Sequence, residues 1–250
     1  MFGKCSGVFL AMAALSVAQT HSCRTALDVP CYTLRGTATI WQLSKTGKLE
    51  ITELKSTYVN ALRRDGSHVS LDESESSRFF SSAGWKGKIT RMYLAPEKEI
   101  VTVDHAQGTI ARREPLSWSD LPYRRSTAGD TTCESGIQHS GTDFRMESTS
   151  MLAGIAVVRW SRAIVNGREE QDLAPSLDCI ALRRYRIQRN SFLLPIEIFS
   201  TEATSVEFGE PSSDLFKIPS SYRAIVDPQR ATLIRLLEEN GNRGAAPRSR

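Results

Sequence analysis

Four histidines, three acidic pairs, an arginine cluster and five cysteines are the groups in this 250-residue chain with chemistry to offer. His68, His105 and His139 fall in or beside turn-forming stretches, and His21 lies near the N-terminus. A catalytic base needs a nucleophile or an acid within hydrogen-bond reach. Serines are abundant, yet none stands in the Gly-x-Ser-x-Gly frame that lifts a nucleophile onto a sharp turn. These therefore read as scattered surface histidines. Glu73/Glu75, Glu169/Glu170 and Glu238/Glu239 lie in polar surroundings. Nothing there drives the two pKa values of a pair apart, as acid–base division of labour requires, so they read as solvated. The chain names no catalytic residue and is expected to be non-enzymatic, with no cofactor.

Arg183, Arg184, Arg186 and Arg189 surround Tyr185. On a strand, Arg183, Tyr185, Ile187 and Arg189 face one way and Arg184 and Arg186 the other. Such a set can meet phosphate or anionic lipid, or form an ordinary charged outer face. A net charge of +4 is too mild, and the aromatic platforms too few, for a nucleic-acid surface. No nucleic-acid partner is expected.

The compartment decides what the cysteines do. Lys4 precedes an apolar stretch from Val8 to Val17, and Ser16 and Ala18 occupy the −3 and −1 positions of a cleavage site. This is the secretory pattern. The apolar core has about half of the roughly 20 residues a spanning helix needs, and Thr20-His21-Ser22 breaks it. A signal peptide over 1–18, cut after Ala18, and a periplasmic or secreted mature chain are expected. That tripeptide is a poor lipidation frame before Cys23, and no later stretch is long and apolar enough to span a bilayer. Cys5 leaves with the leader, and Cys23, Cys31, Cys133 and Cys179 remain as disulfide candidates. Four cysteines allow three pairings, among which sequence does not choose. The pairing favoured here closes Cys23–Cys31 locally and joins Cys133–Cys179 across a long insertion. Without close CxxC spacing or a histidine at ligand distance, no metal site is expected.

The elements that position these groups are mostly strands. In the stretch 35–43, Thr37, Thr39, Trp41 and Leu43 alternate with Ala38, Ile40 and Gln42, which is period two. The stretch 48–63 reads as two strand pieces or one bent strand, and Asp65-Gly66 suits a tight turn into a return strand from His68. Residues 72–82 read as a loop or short helix. Ile89–Leu94, Glu99–Asp104 and Thr109–Arg113 form a meander, and 115–141 reads as irregular. Residues 152–165 read as one strand ending at a hairpin dipeptide, Asn166-Gly167, with 178–188 returning behind it and one or two strands in 193–208. Asp227, Pro228 and Gly241 are placed to cap, start and stop a helix over 227–241. The tail 242–250 is basic and reads as disordered.

The fragments DLAPSLDCIALRR (172–184) and VEFGEPSSDLFKIPSSY (206–222), preceded by RRDGSHVSL and ITRMYLAPEKEIVTVDHAQGTIARRE, give an ordered set of motifs. It resembles exported bacterial proteins of the LolA/LolB-like lipoprotein-carrier half-barrel superfamily. The resemblance implies a mainly β protein: one large, curled antiparallel sheet with a few short helices, here a single β-rich domain over 19–226 plus the C-terminal helix. It also implies an apolar concavity that accepts acyl chains. The carriers' gating arginine has no counterpart in these motifs. Inward-facing Trp41, Met92, Leu94, Trp160 and Phe199 are the candidate lining for a hydrophobic or lipidic ligand, and the same residues would serve equally as plain core. The other reading is an envelope protein-interaction module that uses sheet edges or the C-terminal helix.

Overall fold

The computed structural model describes residues 23–26, 28–43, 51–74, 87–115, 130–138, 143–192 and 194–227. The expected signal peptide, the C-terminal helix beyond Asp227, the basic tail, His21 and His139 lie outside the described residues. Twelve strands are described: β1 Tyr32–Leu43, β2 Ile51–Leu62, β3 His68–Ser74, β4 Gly87–Leu94, β5 Glu99–Asp104, β6 Thr109–Arg113, β7 Arg145–Leu152, β8 Ile155–Ile164, β9 Gly167–Ala174, β10 Ile180–Arg189, β11 Pro195–Phe208 and β12 Arg223–Ile225. One short helix, α1, spans Glu134–Gln138. All strands belong to one sheet, in the order β12-β6-β5-β4-β3-β2-β1-β11-β10-β9-β8-β7. The sheet does not close: β12 and β7 are its two edges. Neighbours are antiparallel except β12, which runs parallel to β6.

The period-two stretches fold as their pattern requires. Along β1, exposed Thr37 is followed by buried Ala38, and Ile40 is buried again. Of the stretch 48–63, the described part forms one strand, β2, because an unbroken register with β1 pairs it from Ile51 to Leu62. The Asp65-Gly66 turn closes with Gly66 N–H donating to Arg63 O at 3.0 Å.

Two readings are corrected. The stretch 152–165 is not one strand: Ala153 and Gly154 both take positive φ (48° and 77°) and form a two-residue turn between β7 and β8. The strand returning from β8 is not 178–188 but β9, Gly167–Ala174. Its sequence, GREEQDLA, is polar on both faces for most of its length, so burial left no periodic signal. The turn is made by Val165 and Asn166, with Asn166 at φ 55°. Gly167 is instead the first residue of β9, where a Cβ would stand 2.0 Å from the carbonyl oxygen of Ile187.

Three apolar clusters form the core. Tyr32, Leu34, Leu62, Leu177 and Leu182 anchor one at the β1–β2 end. Val69, Met92, Val101, Val103 and Ile110 form the second, covered by Leu215, Phe216, Ile218 and Tyr222. The segment carrying those four residues is the second half of the 206–222 motif, which therefore straps the β3–β6 meander. Arg63 Nε holds the strap's start by donating to Glu210 at 3.1 Å, and the guanidinium lies 5.1 Å over the Phe216 ring. In the third cluster Cys133 and Ile137, from the α1 segment, pack on Val158, Trp160 and Leu173. Disulfides join Cys23 to Cys31 and Cys133 to Cys179, the second fastening α1 to the β9–β10 corner. Asp130 shapes the approach to α1. Burial works against its charge, but hydrogen bonds from Ser135 and Thr132 outweigh it and hold the carboxyl below the usual range.

Candidate functional site

The centre of the sheet is a regular block. Residues 51–57, 36–43, 197–203, 183–188, 167–172 and 159–164 pair across β2, β1, β11, β10, β9 and β8 without a register shift. Cross-strand partners share a face, so the block has two faces that can be read rung by rung.

The first face carries charge. Thr37, Glu202, Arg183, Asp172 and Arg159 form one rung, and Thr39, Ser200, Tyr185, Glu170 and Ser161 the next. Arg159 grips Asp172 with two hydrogen bonds, 2.7 and 3.1 Å, and Arg183 Nε meets the same carboxylate at 2.9 Å. Glu170 receives Arg168 at 3.0 Å and Arg183 at 3.3 Å. Glu147 of β7 takes Arg168 and the Ser161 hydroxyl. Asp172 is 2% exposed, yet two arginines compensate it. This ladder spends its charges on holding β7–β10 together. On the opposite face Glu169 is held by Arg162 at 2.6 Å. The expected solvated pair Glu169/Glu170 is therefore corrected: both carboxylates are partly buried and ion-paired. The available signal was an acidic stretch, Glu169–Asp172, lying between the arginines of 159–168 and those of 183–189 in the chain.

The second face is amphipathic. Ala38, Thr201, Arg184, Gln171 and Trp160 form one rung; Ile40, Phe199, Arg186, Glu169 and Arg162 form the next. Gly36 and Ala203 pair beyond them. Gly36 is required by packing: a Cβ there would stand 2.3 Å from the Tyr58 ring. Burial pushes the Tyr58 phenol up to about 12, with Arg184 acting in the opposite sense. Arg184 and Arg186 are exposed, and neither is in an ion pair among the described residues. Phe199 is half-buried between Ile40 and Arg186.

The five expected lining residues do not converge. Trp41 and Phe199 lie on opposite faces, since Phe199 pairs with Ile40, the residue next to Trp41. Trp160 shares the Phe199 face but is core: it is 6% exposed, and its indole N–H donates to Thr132 O at 2.8 Å. Met92 is 1% exposed beneath the strap, with Leu94 packed beside it. Phe199 alone of the five is half-exposed on the amphipathic face.

The histidines also differ from expectation. His68 is not on the surface; it is buried, and burial brings its pKa down to about 4. His105 sits between Thr90 Oγ1, 2.9 Å from Nε2, and the Tyr222 hydroxyl, 3.3 Å from Nδ1. Burial, then Lys88, lower its pKa. A base beside a hydroxyl can activate a nucleophile, but Thr90 is 4% exposed. The arrangement instead latches the strap to the β5–β6 turn. Cys23, Cys31 and Glu210 come within 4.8 Å of one another, but the disulfide withdraws both sulfurs from metal coordination. A polar groove of about 330 Å³ lies between β1, the end of β11 and the strap, lined in part by Arg35, Glu207, Glu210 and Asp214. It contains none of the five expected residues.

No family model matches this sequence, and no curated protein matches it. Its solved neighbours include LolA-superfamily proteins. One, from Nitrosomonas europaea, is 9% identical, with 74% of this chain and 90% of that chain covered and a TM-score of 0.27. A putative outer membrane lipoprotein-sorting protein domain from Vibrio parahaemolyticus is also 9% identical, over 74% and 88% of the two chains, with a TM-score of 0.24. The MucA/MucB complex of Pseudomonas aeruginosa is matched at 13% identity and a TM-score of 0.40, over 78% of this chain. The match spans 58% of that neighbour's length. At these scores the likeness fixes neither ligand nor activity.

Proposed function

We propose that the protein is an exported, non-enzymatic binding protein whose ligand is an amphiphile, an acyl chain with an anionic end, held on the Phe199 face of the central sheet. One observation carries this reading. Half-exposed Phe199 borders exposed Arg186 and Arg184, which are in no ion pair among the described residues, on a face that carries Gly36, Ala38, Ile40 and Ala203 together with the polar Thr201 and Glu197 of β11. An aromatic and aliphatic surface gives a hydrocarbon chain area to bury, at about 25 cal/mol per Å². The planar guanidinium forks suit a carboxylate or phosphate. The leader pattern and the two disulfides support export.

Titration with a fluorescent long-chain fatty acid tests it. Saturable binding is expected, weakened at least tenfold by Phe199→Asp and by Arg184→Glu/Arg186→Glu, with the thermal transition of each variant confirming its fold. Binding that is absent, or indifferent to these changes in folded protein, overturns the reading.

A further inference from the structure

We infer that β7 is a self-association edge, which pairs antiparallel with β7 of a second copy of the chain about a two-fold axis at Thr149. This goes beyond ligand binding and does not depend on it. The two edges of the sheet are unlike. β12 has three residues, and a short edge offers little to pair with. β7 has eight, and every residue from Arg145 to Met151 is exposed. Among the described residues nothing pairs with its outer side. It contains neither proline nor lysine, the usual guards of an open edge, and its one acid, Glu147, is turned back onto Ser161 and Arg168.

The strand is also its own complement. A bulge between Met146 and Ser148 sets Met146 opposite Trp160, while Thr149 stands opposite Val158 and Met151 opposite Ala156. Trp160, Val158 and Ala156 are alternate residues of β8, so Met146, Thr149 and Met151 share one face despite their odd spacing. With Thr149 on the axis, Ser148 meets Ser150 of the second copy. The residue that the bulge adds then brings Met146 level with Met151 of the other chain, twice by symmetry. Met146 is 50% and Met151 66% exposed, and the pairing covers both. No like charges meet across the axis: Arg145 falls opposite Leu152. A different extended peptide would need only the backbone edge and would leave this match of side chains unused.

Sedimentation of the full chain over a range of concentrations tests the inference. A reversible dimer is expected, with Met151→Lys raising its dissociation constant at least tenfold while leaving the thermal transition in place. Thr149→Cys should cross-link the dimer under copper(II)-phenanthroline. There the two thiols form one disulfide, two electrons pass to copper and two protons to solvent. Val165→Cys, in the exposed β8–β9 turn, should not. A monomer at every concentration, a dimer indifferent to Met151→Lys, or a monomer that instead captures an added extended peptide would each overturn it. Fatty-acid binding by the same samples separates this result from the fate of the ligand site.

Discussion

β4–β6 and β8–β10 are both three-stranded antiparallel meanders with comparable hydrogen-bonded ladders, and they are held by different side chains. In β4–β6, Met92, Val101, Val103 and Ile110 lose their water beneath the strap. In β8–β10, Arg159, Asp172, Arg183, Glu170 and Arg168 cross-link the strands through paired charge. The backbone does not distinguish them, so the sheet hydrogen bonds cannot be what specifies either. Register in the first is enforced by burial, since a one-residue slip would turn the valines outward. In the second the same slip would separate Arg159 and Arg183 from Asp172 and leave a carboxylate buried alone. The charged meander also carries the Cys133–Cys179 staple, which the apolar one lacks.

The staple is where the two regions should differ most. Replacing Cys133 and Cys179 with serine opens a closure of 46 residues, worth about 4 kcal/mol on chain-entropy grounds. Opening Cys23–Cys31, with a separation of 8, should cost about 2.5 kcal/mol by the same relation. Urea unfolding of the two serine pairs measures both. Equal costs would mean that the longer closure is not what stabilises the charged half.

A matched pair of substitutions should then separate apolar from ionic cohesion. Met92→Ala removes a fully buried side chain and should cost about 3 kcal/mol whatever the ionic strength. Asp172→Ala leaves Arg159 and Arg183 facing each other, also at about 3 kcal/mol, because breaking a buried pair strands its partners. The arginines are partly exposed, so added salt should shrink the second cost and leave the first unchanged. Urea midpoints at low and high salt would show it. Identical salt responses would remove the distinction between the two meanders.

The same contrast explains what could be read from the residues alone. The strands β4, β5 and β6 were legible almost to the residue because their short apolar and β-branched runs are bounded by the turn-forming stretches 95–98 and 105–108. β9 was invisible because Glu170 and Asp172 meet Arg159 and Arg183 on the neighbouring strands β8 and β10, pairings that no pattern within β9 reports. Trp41 and Phe199 could be recognised as strand aromatics, but which face each took depends on pairing β1 with β11. Those strands are more than 150 residues apart, and no local pattern reports that. His68 looked like a turn residue from its place after Asp65-Gly66. Its burial follows from the packing of neighbouring strands, which a single sequence does not display.

The smallest expected effect lies in the apolar half and depends on pH. His68 has its folded pKa lowered to about 4, against 6.5 for an ordinary histidine. Below pH 6.5 the unfolded chain therefore binds a proton that the folded chain does not. Stability from this residue is present above that pH and declines as pH falls toward 4. Between pH 7 and 5.5 the loss should be about 1 kcal/mol. His68→Gln should flatten the decline, and Asp172→Asn should not, when urea midpoints are followed across the interval. If the decline survives His68→Gln, protonation inside the apolar half is not its source, and the charged half becomes the place to look.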